Sequence, residues 1–399
     1  MHASSLSSRA PTAAPLRARA PSSARRAARV VATTRVVAAK ASSEDGTKKM
    51  TVAVTGATGF VGRALVRELQ ANGHDVRVLT RDAFAARLSM PGAALKGAKF
   101  YANDTANGYL RWFDAVDGCT GVVNLAGASI SNPWNEAYKK TLVESRLRAT
   151  KRVVDGINAV PKDRRPTLVS SSAVGYYGTS KTKTFDENSA PGRDFLARLC
   201  VKWEREAKKA DTPTTIVRTG VVLEKGGGAL GKILPIFQLY GGGPLGDGSQ
   251  RFSWIHRDDL VALIVAALED PEKYEGTLNG TAPEPTTMNG LCEAVSAATN
   301  RPNWLPVPGV ALRLLLGEGA TVVLDGQRVE PRETLRRGFK FSHETVDDAL
   351  CAIVRGDSSG KKKGEEDEEE EDVVAVDEDD EEEEEAEAAA VEEEEIVNA

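Results

Sequence analysis

The stretch Thr51 to Gly62, T-V-A-V-T-G-A-T-G-F-V-G, reads as a short buried strand that turns on glycines into a helix. Val52, Ala53 and Val54 form the unbroken apolar run expected of a parallel strand covered on both faces. Phe60, Val61, Leu65, Val66 and Leu69 then recur at helical spacing. Between the two, Gly56 permits a tight turn, Gly59 lets backbone N–H groups approach a pyrophosphate, and Gly62 allows the helix to pack closely on the strand. Thr58, Phe60 and Val61 fill out the turn, and the first helical turn presents unpaired N–H groups and a positive dipole end to phosphates. Glycine spacing alone is weak evidence; the strand before it and the amphipathic helix after it make it a dinucleotide site.

The next strand, His74 to Thr80, chooses among dinucleotides. At its end an NAD site places an acidic side chain on the ribose 2′-hydroxyl, whereas this chain offers Thr80 and Arg81. A guanidinium pairs bidentately with a 2′-phosphate, so NADP is expected in preference to NAD. Asp82 leaves two readings, a carboxylate for the ribose or a cap on the next short helix.

Both ends of the 399-residue chain are unlike its middle. Residues 1–43 hold seven Arg, one Lys and no Asp or Glu among Ala, Ser and Pro, the composition of a transit peptide with a plausible processing region at Val36 to Ala39. The Ser, Ala and Pro content points to the chloroplast, with the mitochondrion as the alternative. Residues 365–395 carry 22 Asp and Glu and no basic residue, so the stretch 356–399 is expected to be a disordered acidic tail. The chain is formally −6, yet residues 44–364, with 44 basic and 36 acidic side chains, carry +8. No run approaches the roughly 20 apolar residues that span a bilayer; the run through Val261 to Leu268 is far shorter. Membrane association is therefore expected to be peripheral. Cys119, Cys200, Cys292 and Cys351 are scattered without a C-x-x-C, which argues against a metal site or a disulfide framework.

Between these ends strand-like runs at Lys99 to Ala102, Gly121 to Ala126, Thr167 to Ser171 and Thr214 to Arg218 alternate with helical patterns at Glu136 to Ile157 and Asp194 to Ala210. That rhythm predicts an α/β fold, a Rossmann-type doubly wound parallel sheet, over residues 50–282. From about Pro283 the elements shorten around Pro302, Pro306, Pro308 and Pro331, predicting a smaller C-terminal, substrate-side lobe over 283–355.

Three further stretches carry a resemblance. Val122 to Gly127 (V-V-N-L-A-G) ends a strand with Asn124 followed by small residues including Ala126 and Gly127, which lets the chain pass under a nicotinamide ribose. Val169 to Gly178 (V-S-S-S-A-V-G-Y-Y-G) and Ser253 to Leu260 (S-W-I-H-R-D-D-L) complete the set. With the glycine turn they resemble extended short-chain dehydrogenase/reductases and sugar-nucleotide epimerases. Pro133 to Arg146, Asp194 to Glu204 and Gly242 to His256 resemble, more narrowly, the atypical, cell-division-inhibitor-like branch of epimerases, and Pro331 to Phe341 resembles that branch's small C-terminal domain. In plants and algae the branch includes giant-chloroplast-type proteins. The resemblance implies a role with plastid-division proteins, on the stromal side of the inner envelope.

The resemblance also implies chemistry. Short-chain dehydrogenases use Ser, Tyr and Lys: the phenolate exchanges a proton with substrate, and a Lys four residues later lowers its pKa and binds the ribose. Ser172 matches the serine. The helix beginning near Asp194 has no tyrosine; Arg198 and Lys202 fall at the dyad spacing, or Leu196 and Cys200 if Trp203-Glu204 sets the alignment. Tyr177 to Lys181 spells Y-x-x-x-K, but Gly178, Thr179 and Ser180 predict a loop. Ser172, Tyr176 and Tyr177 are thus the candidate catalytic hydroxyls, each tyrosine also readable as an aromatic that packs against cofactor or lobe.

Other residues read more plainly. Tyr138, Lys139 and Lys140 suit a solvated helix face. His256 is expected to hold a strand-to-helix join, with Asp258 and Asp259 at the helix start. The loops Gly226 to Gly228 and Gly241 to Gly243 are expected at the substrate mouth, neither as a strand-to-helix phosphate turn. Arg218 and Arg251 read either as ligands for a substrate anion or as surface ion pairs. Two functional classes remain: an NADP-dependent oxidoreductase or epimerase of unknown small-molecule substrate with an unconventional proton donor, or an NADP-binding regulatory partner in plastid division. Nucleic acid is not expected as a partner, since no aromatic-basic stripe is visible.

Overall fold

The computed structural model describes residues 49–102 and 110–356. The transit-peptide composition of residues 1–43 and the acidic block from residue 365 lie outside the described residues. Strands β1 (Thr51–Thr55), β2 (Asp75–Thr80), β3 (Lys99–Ala102), β4 (Gly121–Asn124), β5 (Thr167–Ala173), β6 (Thr214–Thr219) and β7 (Gly276–Gly280) form one sheet. Its order is β7-β6-β5-β4-β1-β2-β3 and every pairing is parallel. The order reverses between β1 and β4, which pair with Thr55 opposite Asn124. In a doubly wound sheet the crevice for a ligand opens at such a switch point, beyond the carboxyl ends of the strands.

Alternation along β1 sorts the two covering layers. Val52 and Val54 point into a core completed by Val76, Val78, Val123, Val169 and Val217 of the sheet. Helices α1 (Phe60–Ala71) and α6 (Arg257–Glu269) cover that face, through Leu65, Val66 and Leu69 and through Leu260, Ile264 and Leu268. Ala53 points the other way, into a core with Val122, Leu168 and Ile216. The long helix α3 (Glu136–Ala159) and helix α4 (Phe195–Ala207) cover this side, contributing Val153, Ile157 and Ala207. Burial on both faces makes a fully covered Leu such as Leu65 or Leu69 a contribution of about 1.5–3 kcal/mol. The spans expected for these strands and helices hold to within a few residues. Asp194 caps α4, its carboxylate accepting from Ala197 N at 2.8 Å, which starts the helix one residue later than the apolar pattern.

A second core gathers elements outside the seven-stranded sheet. Helix α5 (Gly228–Gln238) supplies Leu230, Leu234 and Phe237, the strand segment Trp254–His256 supplies Trp254, and helices α7 (Met288–Thr299) and α8 (Val346–Arg355) supply Leu291, Val295, Leu350 and Ile353. This lobe is assembled from two stretches of chain, residues 221–254 and 282–354. Among the described residues no helix is long and apolar enough to cross a membrane.

Candidate functional site

The glycine turn is shaped by close approach. Gly56 has φ +66°, and a Cβ there would come within 2.8 Å of the Leu125 carbonyl carbon on the exit from β4. A Cβ on Gly62 would meet the Gly56 carbonyl oxygen at 2.1 Å, so the strand-to-helix contact tolerates no side chain. Gly59 N–H closes the turn onto the Gly56 carbonyl at 3.1 Å. Gly59 is the N-cap of α1; no side chain caps this helix and no acidic residue stands in its first turn. The positive helix end, with the N–H groups of Phe60, Val61 and Gly62, therefore has no side-chain cap and no first-turn carboxylate among the described residues, and the residues present fit a pyrophosphate. Arg63 reinforces the turn by donating from Nε to the Thr58 carbonyl at 2.7 Å.

Thr55 stitches the turn to β4. Its hydroxyl donates to Asn124 Oδ1 at 2.8 Å and accepts from the N–H groups of Leu125 at 3.2 Å and Ala126 at 3.3 Å. Asn124 is fully buried, and its amide donates to Thr150 at 2.9 Å and Ser170 at 3.2 Å. Its side chain thus ties β1, β4, β5 and α3 together, while Ala126 and exposed Gly127 line the outlet above it. At the end of β2, Arg81 is exposed. Asp82 caps the short helix α2 (Ala83–Ser89), accepting from Phe84 N at 2.7 Å and Ala85 N at 3.0 Å. Of its two readings, the cap is the one the structure realises.

The three candidate residues converge on one buried ion pair. Arg218, on β6, donates from Nε to Glu204 Oε1 at 2.7 Å and from Nη2 to Oε2 at 2.9 Å. Both side chains are about 4% exposed. Ser172 donates to Glu204 Oε1 at 2.8 Å. Tyr177 accepts from Arg218 Nη1 at 3.0 Å and donates to Asn279 Oδ1 at 2.7 Å. Burial, partly offset by Arg218, pushes the Tyr177 phenol up to about 12. Burial opposes the Arg218 charge, yet Glu204 and Tyr177 outweigh it and raise the guanidinium above its ordinary pKa. Arg218 Cζ sits 3.3 Å from the centroid of the Tyr176 ring, and among the described residues no hydrogen bond engages the half-buried Tyr176 hydroxyl. The expectation of Arg218 as a substrate-anion ligand or a surface ion pair is corrected: its guanidinium lies inside the protein, and Glu204, Tyr177 and the Glu187 carbonyl at 3.3 Å occupy it.

Helix α4 turns only one of the two pairs with dyad spacing inward. Arg198 and Lys202 face solvent, whereas Cys200 is buried against Ser172 and Leu196 packs on Gly175. Leu196 and Cys200 therefore occupy the inward positions four residues apart, followed by inward Glu204. Burial and the neighbouring Glu204 push the Cys200 thiol up to about 11, which leaves it uncharged at neutral pH. The literal Y-x-x-x-K is no dyad: Tyr177 ends a 3₁₀ turn (Val174–Tyr177), Gly178 follows with φ +70°, and Lys181 is exposed.

The glycine loop over residues 224–227, not expected to be a phosphate-binding turn, joins a strand segment, Val221–Leu223, to α5. It flanks the first turn instead of forming a second phosphate site: a Cβ on Gly227 would meet the Phe60 ring at 2.4 Å. His256 caps α6 as expected, accepting from Asp258 N at 3.2 Å. Its ring lies 4.2 Å from that of His343, and burial followed by His343 lowers its pKa to about 4. Asp259 does more than start the helix; buried, it accepts from Ser342 N at 2.8 Å and His343 N at 3.0 Å and so docks the C-terminal segment on α6.

Glu204, Asn279 and Arg146 were missed at the level of sequence. A signal for the first existed: Glu204 lies in the apolar stripe of α4 with Cys200, Trp203 and Ala207, and Arg218 ends the apolar strand T-T-I-V-R. Two opposite charges in positions that the patterns bury point to a pair.

The epimerase model, described as the NAD dependent epimerase/dehydratase family, matches residues 52–279, and a domain of unknown function matches residues 307–353. The chain is 50% identical over 310 residues to the Arabidopsis thaliana protein named epimerase family protein SDR39U1 homolog, chloroplastic, covering 77% of this chain and 87% of that relative. It is 36% identical over 312 residues to human epimerase family protein SDR39U1, covering 76% and 100%. The crystal structure of human SDR39U1 (isoform 2) with NADPH superposes with a TM-score of 0.67 at 34% identity, over 77% of this chain and 99% of that one. A UDP-glucuronic acid 4-epimerase from Bacillus cereus, 16% identical with a TM-score of 0.61, shares the fold. The chain belongs to the NAD dependent epimerase/dehydratase family.

Proposed function

We propose that this chain is a plastid NADP(H)-binding protein that acts in chloroplast division through the cofactor-bound state, without the tyrosine–lysine proton transfer of active dehydrogenases. The observation that carries this reading is the inward face of α4, where Leu196 and Cys200 stand at the dyad positions and Ser172 donates to Glu204. A leucine cannot exchange a proton, and a buried neutral thiol cannot hold a phenolate's charge. The cofactor residues are Gly56, Thr58, Gly59, Phe60, Val61 and Gly62 at the pyrophosphate, Arg81 at the 2′-phosphate, and Ala126 and Gly127 under the nicotinamide ribose, with buried Asn124 fixing that outlet from below. Human SDR39U1, solved with NADPH, supports NADP over NAD, as does the capture of Asp82 by a helix cap. The plastid placement draws on the name of the Arabidopsis relative and the composition of residues 1–43. Division partners and contact with the stromal face of the inner envelope draw on the resemblance to the giant-chloroplast branch.

The cofactor half is tested by calorimetry on the full chain. NADPH is expected to bind more tightly than NADH, and Arg81→Ala to erase most of that preference, since a charge-assisted bond to the phosphate contributes about 1.5–3 kcal/mol. Equal affinities in the parent protein would remove the NADP assignment.

A second reading, an NADP-dependent oxidoreductase or epimerase, is favoured by Tyr176 alone. Unlike Tyr177 it keeps a hydroxyl with no hydrogen bond among the described residues, and a guanidinium lies against its ring. On this reading Tyr176→Phe lowers turnover by about 10²-fold or more, the scale of a positioned proton donor. If Tyr176→Phe restores normal plastid morphology in cells lacking the protein, catalysis through Tyr176 is not the essential activity.

A further inference from the structure

Arg146 is a charged side chain set into the site without a counter-charge among the described residues. It stands on α3 and donates from Nη2 to the Ala128 carbonyl at 3.0 Å and from Nη1 to the Leu142 carbonyl at 3.1 Å. Its Cζ lies 5.3 Å from the Trp203 ring centroid. A Cβ built on Gly127 would come within 3.0 Å of the same atom. Burial is the main influence on the guanidinium and lowers its pKa; Cys200 and Tyr138 are its other electrostatic neighbours, and among the described residues no carboxylate pairs with it. Two of the five N–H groups of a guanidinium are used on backbone carbonyls, which leaves three for a ligand. Those three donors are open to an acceptor that enters the outlet.

The surroundings name the acceptor. Gly127 is exposed at the outlet of β4, the segment read to pass under the nicotinamide ribose. Across that outlet, at the helical position where a dyad lysine would bind ribose hydroxyls, stands the neutral thiol of Cys200. The cation missing from α4 is thus supplied beside it by α3. We propose that Arg146 anchors the nicotinamide ribose, donating to its hydroxyls the hydrogen bonds that a lysine gives in dyad-bearing relatives. The role rests on the NADP(H) reading above, and makes Arg146 a binding residue for the cofactor's redox half.

The test compares two probes on the full chain: NADPH, and adenosine 2′,5′-bisphosphate, which carries the 2′-phosphate and lacks the nicotinamide ribose. Arg146→Met keeps the aliphatic stem against Trp203 and removes the donors. It is expected to weaken NADPH by about tenfold or more while leaving adenosine 2′,5′-bisphosphate within about twofold, with Arg146→Lys recovering part of the loss. Equal weakening of both probes would show that Arg146 acts by holding the fold, and unchanged NADPH affinity would show that it does not touch the ribose; either result overturns the assignment. Absence of NADPH binding by the parent protein would overturn the NADP(H) reading itself, and this inference with it.

Discussion

Glu204→Ala is expected to cost about 3–5 kcal/mol of folding stability, the penalty for leaving one partner of a buried ion pair uncompensated. Arg218 would keep its charge behind the sheet end with its two strongest acceptors gone, since both short bonds from Nε and Nη2 end on Glu204. Ser172 would lose its acceptor as well. The thermal midpoint should fall by about 10 °C, in line with roughly 2–4 °C per kcal/mol for chains of 150–250 residues. The double variant Glu204→Leu with Arg218→Met should recover more than half of the loss, because an apolar pair of similar volume removes both charges together. Denaturant unfolding of the three proteins checks both statements. A single variant within 1 kcal/mol of the parent would show that water or a mobile side chain screens Arg218, and that the pair is not the rigid centre described here.

That pair also explains where sequence reading reached its limit. The glycine turn, the strand β1 and the amphipathic helix α1 were legible because each obeys a local rule: an apolar run, a turn that requires positive φ at Gly56, and helical spacing of Leu65, Val66 and Leu69. The cap role of His256 was legible for the same reason, since it depends on neighbours two residues away. The fate of Arg218 was not. Its partners Glu204, Tyr177 and Glu187 come from α4, the 3₁₀ turn and the loop after it, and only the sheet order brings them together. The choice between Arg198 with Lys202 and Leu196 with Cys200 was open in sequence because both pairs have dyad spacing. It closes once the helix face is known, because Arg198 and Lys202 point to water. Asp82 is intermediate: its cap bonds are local, but a carboxylate after a second strand has two local meanings.

The same contrast governs function. A dinucleotide site needs backbone geometry, which the turn has. Dyad catalysis needs two side chains on one helix face, and that face carries leucine and cysteine. On the proposed function, cofactor occupancy persists where the usual proton transfer does not.

The most direct test of this account is titration of NADPH into the full chain and into Gly59→Asp. Gly59 is the N-cap of α1 with extended backbone, a position that aspartate favours, and its added Cβ would approach the Gly56 carbonyl oxygen at 3.3 Å, a contact relieved by a shift of a few tenths of an ångström. The variant should therefore fold with nearly the parent's thermal midpoint. Its carboxylate, however, would stand at the helix end read as the pyrophosphate site, replacing attraction with like-charge repulsion and capping the N–H groups that the phosphates need. The account predicts saturable NADPH binding by the parent and a loss of at least about a hundredfold in the variant, on the order of 3 kcal/mol. Equal NADPH affinity in the two folded proteins would contradict it.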